Sequence, residues 1–180
     1  MPIRVFISIP IPNTAGLVPM MEDLKTVRGV RTSPVKQLHI TLRFLGDIEE
    51  EQLDRVEEIV NESLIGVHAS RILLKGLGAF PNQRAPRVLW AGVETDIPLA
   101  EISERISRKL RAAGIPFDEK PFKPHITVAR VEGTPNLVHK FSKYKTTEFA
   151  TYLPNAVHVM RSELGPKGAT HTIERVCYLH

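Results

Sequence analysis

The residues best suited to chemistry fall in two tetrads, His39-Ile40-Thr41-Leu42 and His125-Ile126-Thr127-Val128, 86 residues apart. Each alternates polar and apolar residues, the period of a strand with one buried face. On such a strand His39 and Thr41 point one way and Ile40 and Leu42 the other. The same holds for His125 and Thr127 against Ile126 and Val128. Two strands of this kind facing one cleft would offer two imidazoles and two hydroxyls. An ordinary imidazole titrates at about 6.5, so near neutral pH one copy can take a proton while the other supplies one. That pair suits a phosphate ester, whose cleavage removes a proton from water and gives one to a departing ribose oxygen.

Other residues could complete such a site. Arg130 follows His125 by five positions and would face away from it on an ideal strand. To clamp phosphate oxygens with its planar fork it must reach round from the strand end or across a bulge; otherwise it is a solvated strand-end arginine. Phe44 follows His39 by the same interval, just before Gly46. It can stack on a nucleobase, the usual way unpaired RNA bases are held, or pack into the core. Trp90, in an apolar run, reads as core. A metal site is not expected, because the tetrads lack a third His, Cys or acid beside them. His68, His139, His158, His171 and His180 share no pattern and read as surface or structural, with His171 nearest to the groove if the C-terminal strands border it.

The elements that must position these residues recur. Ile3–Ile9 reads as a strand ending at Pro10-Ile11-Pro12. A helix with Leu17, Met20, Met21, Leu24 and Val27 on one stripe follows, with Pro19 in its first turn and Asn13 or Thr14 as cap. Val35–Phe44 is the first motif strand, ended by Gly46, and Asp47 with Glu50 has capping-box spacing. Leu53, Val56, Val60 and Leu64 stripe the next helix. His68–Phe80 reads as a strand-pair region, broken at Gly76 and Gly78 where a bulge is expected, and 81–86 as a loop. Arg87–Val93 is a strand; Asp96 can cap a helix with Leu99, Ile102, Ile106 and Leu110 inward. Pro121–Pro124 stiffens the approach to the second motif strand. A short helix over Pro135–Phe141 and closing strands over Thr146–Leu164 and Thr170–Leu179, joined at Gly165–Gly168, complete the chain.

Strand, striped helix and motif strand thus occur twice, a duplication rather than a short repeat. The expectation is an α+β fold: a single domain over 1–180 with two pseudo-symmetric lobes. Each lobe has an antiparallel sheet and helices, with repeat halves 1–85 and 86–180 and the active-site groove between them.

Composition bounds the rest. A chain of 180 residues, 42% hydrophobic and 24% charged, can bury a substantial core. The net charge of +4 favours a phosphate-bearing ligand over tight wrapping of long duplex nucleic acid. Cys177, the single cysteine, cannot form an internal disulfide. With no secretory signal and no apolar run near the roughly 20 residues that span a bilayer, a cytoplasmic protein without a membrane partner is expected.

Both tetrads resemble the HxTx motifs of the two-histidine phosphoesterase superfamily. Leu38-His-Ile-Thr-Leu-Arg-Phe-Leu-Gly46 and Lys120-Pro-Phe-Lys-Pro-His-Ile-Thr-Val-Ala-Arg130 are similar to the RNA 2′,3′-cyclic phosphodiesterase family, also called the 2′-5′ RNA ligase family. So are Gly78–Pro81, Arg87–Trp90, Ser162–Leu164 and Gly165–Gly168. The resemblance spans essentially the whole chain. It implies a bilobal fold and a hydrolase that opens RNA 2′,3′-cyclic phosphate ends to 2′-phosphomonoesters in RNA processing, with no cofactor or required metal. It implies His125 as the base that activates water, His39 as the acid toward O3′, Thr41, Thr127 and Arg130 around the phosphate, and Phe44 on the base. Ala169–Glu174 departs from that family's usual aromatic-containing ending. The partners expected are RNA ends or nucleotides with a cyclic phosphate, with no required protein partner inferred. Reversible 2′-5′ RNA ligation on the same site, or RNA-end binding without turnover, remain the alternatives.

Overall fold

Backbone hydrogen bonding in the computed structural model, which describes residues 1–180, forms two antiparallel sheets. The first half supplies β1 (Pro2–Pro10), α1 (Val18–Lys25), β2 (Val30–Thr32), β3 (His39–Glu49), α2 (Leu53–Ser63) and β4 (Ile72–Phe80). The second supplies β5 (Val88–Thr95), α3 (Leu99–Ala112), β6 (His125–Val131), α4 (Val138–Lys143), β7 (Glu148–Tyr152), β8 (Ala156–Gly165) and β9 (Gly168–Tyr178). The sheets run β3-β1-β8-β9 and β2-β6-β5-β4-β7. The architecture is α+β, as the sequence predicts. No helix is long and apolar enough to cross a membrane.

In each sheet the motif strand lies beside the first strand of its own half: β3 on β1, β6 on β5. The sheets do not, however, divide at residue 85. β4 belongs to the second sheet, because its short connection to β5 makes the two a hairpin. β8 and β9, from the second half, close the first sheet. The helices are exchanged too: α1 packs by β2, while α3 packs on α2 and β3.

Ile40, Leu42, Ile126 and Val128 are at most 1% exposed and join one continuous cluster of 42 buried residues. The apolar alternation in the tetrads therefore points into the core, and the histidines and threonines point out. On α3, Leu99, Ile102, Ile106 and Leu110 are all buried, and the stripe of α2 behaves likewise.

Several boundaries differ from expectation. The strand expected from Val35 begins at His39, after a single 3₁₀ turn over Val35–Gln37. Gly46 does not end it. Its φ of 81° lets β3 pass a bulge at Leu45 and continue to Glu49. The capping box is consequently formed by Glu49 and Gln52, not Asp47 and Glu50. Val18, not Leu17, opens the first helix, which ends at Lys25 with Pro19 in its first turn. Asn13 accepts the Ala15 N–H at 3.0 Å, but Thr14 makes no cap. Nor does Asp96 cap α3, where Pro98 is the N-cap. The segment 146–164 is two strands in different sheets, separated at Leu153-Pro154-Asn155, where Pro154 cannot donate to a ladder. Gly76 marks the bulge in β4, but Gly78 stays in register opposite Trp90. A Cβ at Gly78 would lie 2.2 Å from the indole, so this glycine makes room for the ring.

Candidate active site

β3 and β6 run side by side where the sheets meet, and the polar faces of both tetrads open into one groove. Its first compartment, about 410 Å³, is lined by His39, Thr41, His125, Thr127 and Arg130 together with Arg31, Ser33, Gln37 and His171. A second compartment, about 500 Å³, continues past Thr41, His125, Thr127 and Arg130 to Phe44, Phe80 and Phe122. Residues 39 and 125 thus meet across a shared space. Phe44 lies in the adjoining aromatic compartment, with its ring 6.4 Å from Phe6 and nearly parallel to it, and Arg4 over it at 5.4 Å.

The two imidazoles are held alike. His39 Nδ1 lies 2.6 Å from the Gln37 carbonyl, and His125 Nδ1 lies 2.6 Å from the Lys123 carbonyl. A carbonyl only accepts, so each Nδ1 carries a hydrogen and donates it two residues back. That fixes the tautomer in the neutral ring and leaves Nε2 as the nitrogen without a backbone partner. His39 Nε2 meets the Thr41 hydroxyl at 2.9 Å. Each ring also packs on a phenylalanine: His39 on Phe6 at 4.8 Å, His125 edge-on to Phe80 at 4.9 Å.

His39 holds its proton less firmly than an ordinary histidine. Burial is the main cause. The positive forms of His171 and His125 push the same way, while the hydrogen bond to the Gln37 carbonyl pulls back. His171 is likewise lowered by burial.

Arg130 reaches the groove through a bulge. Trp90 pairs with Thr127 and Leu89 with Ala129, leaving Val128 as the extra residue. The alternation resets there, so Val128 and Ala129 are both buried and Arg130 emerges on the side of His125.

Other residues at the site carry little sequence signal. His171, on β9, stands edge-on to His39 at 5.7 Å and to Phe6 at 4.9 Å. It lines the groove, the place the sequence left open for it if the C-terminal strands border that space, rather than serving as a surface or structural residue. Gln37 binds the Ala169 carbonyl through its side chain, tying the start of β9 to the entry of β3. Arg43 has no spacing or motif to mark it. It donates to the carbonyls of Asp118 (3.1 Å) and Lys120 (2.8 Å) and to Ser103 Oγ (2.7 Å). The Asp118 N–H returns a bond to the Phe44 carbonyl at 2.7 Å. The loop that delivers His125 is thereby fastened to the first motif strand. His68, His139, His158 and His180 line neither compartment.

Comparison with known proteins follows the same lines. Residues 8–90 and 93–170 match the family described as LigT like Phosphoesterase. A curated relative from Archaeoglobus fulgidus, named RNA 2′,3′-cyclic phosphodiesterase, is 34% identical over 176 residues, covering 96% of this chain and 98% of the relative. A protein of the same name from Methanocaldococcus jannaschii is 32% identical over 174 residues, covering 94% and 97%. A crystal structure from Thermus thermophilus is 31% identical and superposes with a TM-score of 0.82, covering 98% of this chain and 97% of that one. With most of its length matched by the family and relatives above 30% identity aligned nearly end to end, the chain belongs to the LigT-like phosphoesterases and is an enzyme of that class.

Proposed function

We propose that the protein hydrolyses the 2′,3′-cyclic phosphate at an RNA 3′ end to a 2′-phosphomonoester. The observation that carries this reading is the matched pair of imidazoles, each with Nδ1 held by a carbonyl, which leaves Nε2, met in His39 only by the Thr41 hydroxyl, to move a proton. The names of the relatives agree with it.

His125 Nε2 takes a proton from water as the water oxygen attacks phosphorus. The bond from phosphorus to O3′ breaks, and His39 Nε2–H gives its proton to O3′. The 2′-phosphate remains on the ribose, and water is the only co-reactant. Thr127, Arg130 and, once phosphate displaces it from His39, Thr41 hold the non-bridging oxygens. Developing negative charge there is where fixed donors act most strongly. Phe44 stacks on the base in the aromatic compartment.

His39 must be protonated to act as the acid, yet burial and neighbouring histidines disfavour its cation. An anionic phosphate between the rings supplies the missing partner, so the acid forms with substrate bound. The full chain acts as one two-histidine phosphoesterase domain, its site drawing on both repeats.

The test is incubation of purified, chelator-treated protein with a short RNA ending in a 2′,3′-cyclic phosphate. A 2′-phosphate end is the expected product. Joining of fragments through a 2′-5′ bond would indicate the reverse reaction, and binding without change would reduce the protein to an RNA-end binder.

A further inference from the structure

The first compartment holds more positive character than one phosphate needs. Arg31 and Arg130 are directly opposite in the β2–β6 ladder, and both line this space. Like charges directly opposite across a ladder repel and destabilise it. No carboxylate lines the compartment, and both arginines are exposed, so solvent alone screens the pair. The ion pairs of the protein all involve other cations. His171 adds a ring N–H donor from β9, outside the two motifs. At about 410 Å³ the compartment is large enough for a small ligand, whose usual pockets begin at about 300 Å³.

The two compartments meet at Thr41, His125, Thr127 and Arg130 and then diverge. Arg130 serves both. Arg31 and His171 serve only the one that lacks phenylalanines. A nucleotide with its base among Phe44, Phe80 and Phe122 has the acid-free side left for its remaining charge.

We propose that Arg31, aided by His171, forms a second anion subsite that takes the phosphate on the 5′ side of the terminal nucleotide. The inference rests on the reading of the protein as a phosphodiesterase of RNA ends. The subsite makes the enzyme prefer a 5′-phosphorylated or chain-linked terminal nucleotide over a bare nucleoside cyclic phosphate.

Calorimetry with adenosine 2′,5′-bisphosphate and adenosine 2′-phosphate measures the subsite without turnover. The wild-type protein should bind the bisphosphate about tenfold more tightly, the scale of one charge-assisted hydrogen bond. Arg31→Ala should bring that ratio to within about twofold, and Arg31→Lys should keep part of it as a point charge. In kinetics, the ratio of kcat/KM for 5′-phosphoadenosine 2′,3′-cyclic phosphate to that for adenosine 2′,3′-cyclic phosphate should fall in parallel in Arg31→Ala. A wild-type binding ratio near one, or a ratio unchanged in Arg31→Ala, overturns the subsite even if both substrates are hydrolysed. If neither substrate is hydrolysed but the bisphosphate preference and its dependence on Arg31 persist, the reaction assignment fails and the subsite stands.

Discussion

Leu42 and Val128, each three residues after its motif histidine, are the extra residues of matching β-bulges. Ser8 pairs with Thr41 and Ile7 with Arg43, so Leu42 is passed over just as Val128 is between Trp90 and Leu89. Each bulged carbonyl turns to a serine. Leu42 accepts from Ser103 Oγ at 2.7 Å, and Val128 accepts from the Ser33 N–H at 2.9 Å. The buried carbonyls are thus satisfied off the ladder. Beyond each bulge the alternation is inverted. The fifth residue after the histidine therefore sits on the histidine's side in both repeats: Phe44 in one, Arg130 in the other. One backbone device duplicated with the chain gives an aromatic ring on one wall and a guanidinium on the other.

Replacing either histidine should disable the reaction while sparing the fold, because both rings stand at the groove. For His39→Ala and His125→Ala, turnover of the cyclic phosphate end should drop by at least about 10²-fold each. With the two rings acting as a unit in the proposed mechanism, the double variant should fall far short of the product of the single losses. Near-normal turnover in either single variant, with unchanged circular dichroism, would remove that residue from the mechanism.

The pH dependence should carry the mark of His39. Its folded value is shifted below 6.5, so the protonated acid is lost from the free enzyme as pH rises through a value lower than that. The profile of kcat/KM, which reports free enzyme, should show a falling limb centred below pH 6.5. That of kcat should keep its limb at higher pH, because the bound phosphate restores proton affinity. Coincident limbs, or none on the alkaline side, would count against His39 as the acid.

Arg43 joins the two motifs mechanically. Its guanidinium donates to two loop carbonyls and to Ser103. Truncating it leaves those carbonyls without their charged donor. Arg43→Ala should cost at least about 2 kcal/mol of stability, the scale of one or two bonds to a charged group. It should also lower kcat through a displaced His125. Arg43→Lys should recover little, since an ammonium cannot span the fork. Denaturant unfolding and steady-state kinetics on both variants test this; full activity and wild-type stability in Arg43→Ala would refute it.

Asp23 is the anchor between α1 and α4. Lys140 reaches it at 2.7 Å, Tyr144 OH at 2.6 Å and Lys143 at 3.1 Å. These bonds, Lys140 first, hold its carboxyl far below the ordinary value of 3.8. A depressed folded value means the stabilisation is fully present above 3.8 and is lost as pH falls toward the folded value. Wild type should therefore exceed Asp23→Asn in unfolding temperature by a constant margin between about pH 7 and pH 5. The margin should shrink as the solution is taken below about pH 4. A margin that does not change on acidification would show that the carboxylate charge is not what matters.

Up to each bulge, the residues that face the groove were legible in the chain's local pattern. Ile40, Leu42, Ile126 and Val128 had to be buried, so His39, Thr41, His125 and Thr127 had to face outward. That follows from local alternation alone, as do the stripes of α2 and α3. What lay beyond the bulges was not local. Whether Arg130 faces His125 depends on which residue of β5 pairs with which residue of β6, a register that arises only when the strands meet. Arg31, Arg43 and His171 were silent for the same reason. Their placement comes from a ladder partner, a loop 75 residues away and a hairpin from the far end of the chain, none of which leaves a period in the sequence. The sheets also ignore the repeat boundary, because a short turn makes β4 pair with β5 regardless of which half each came from.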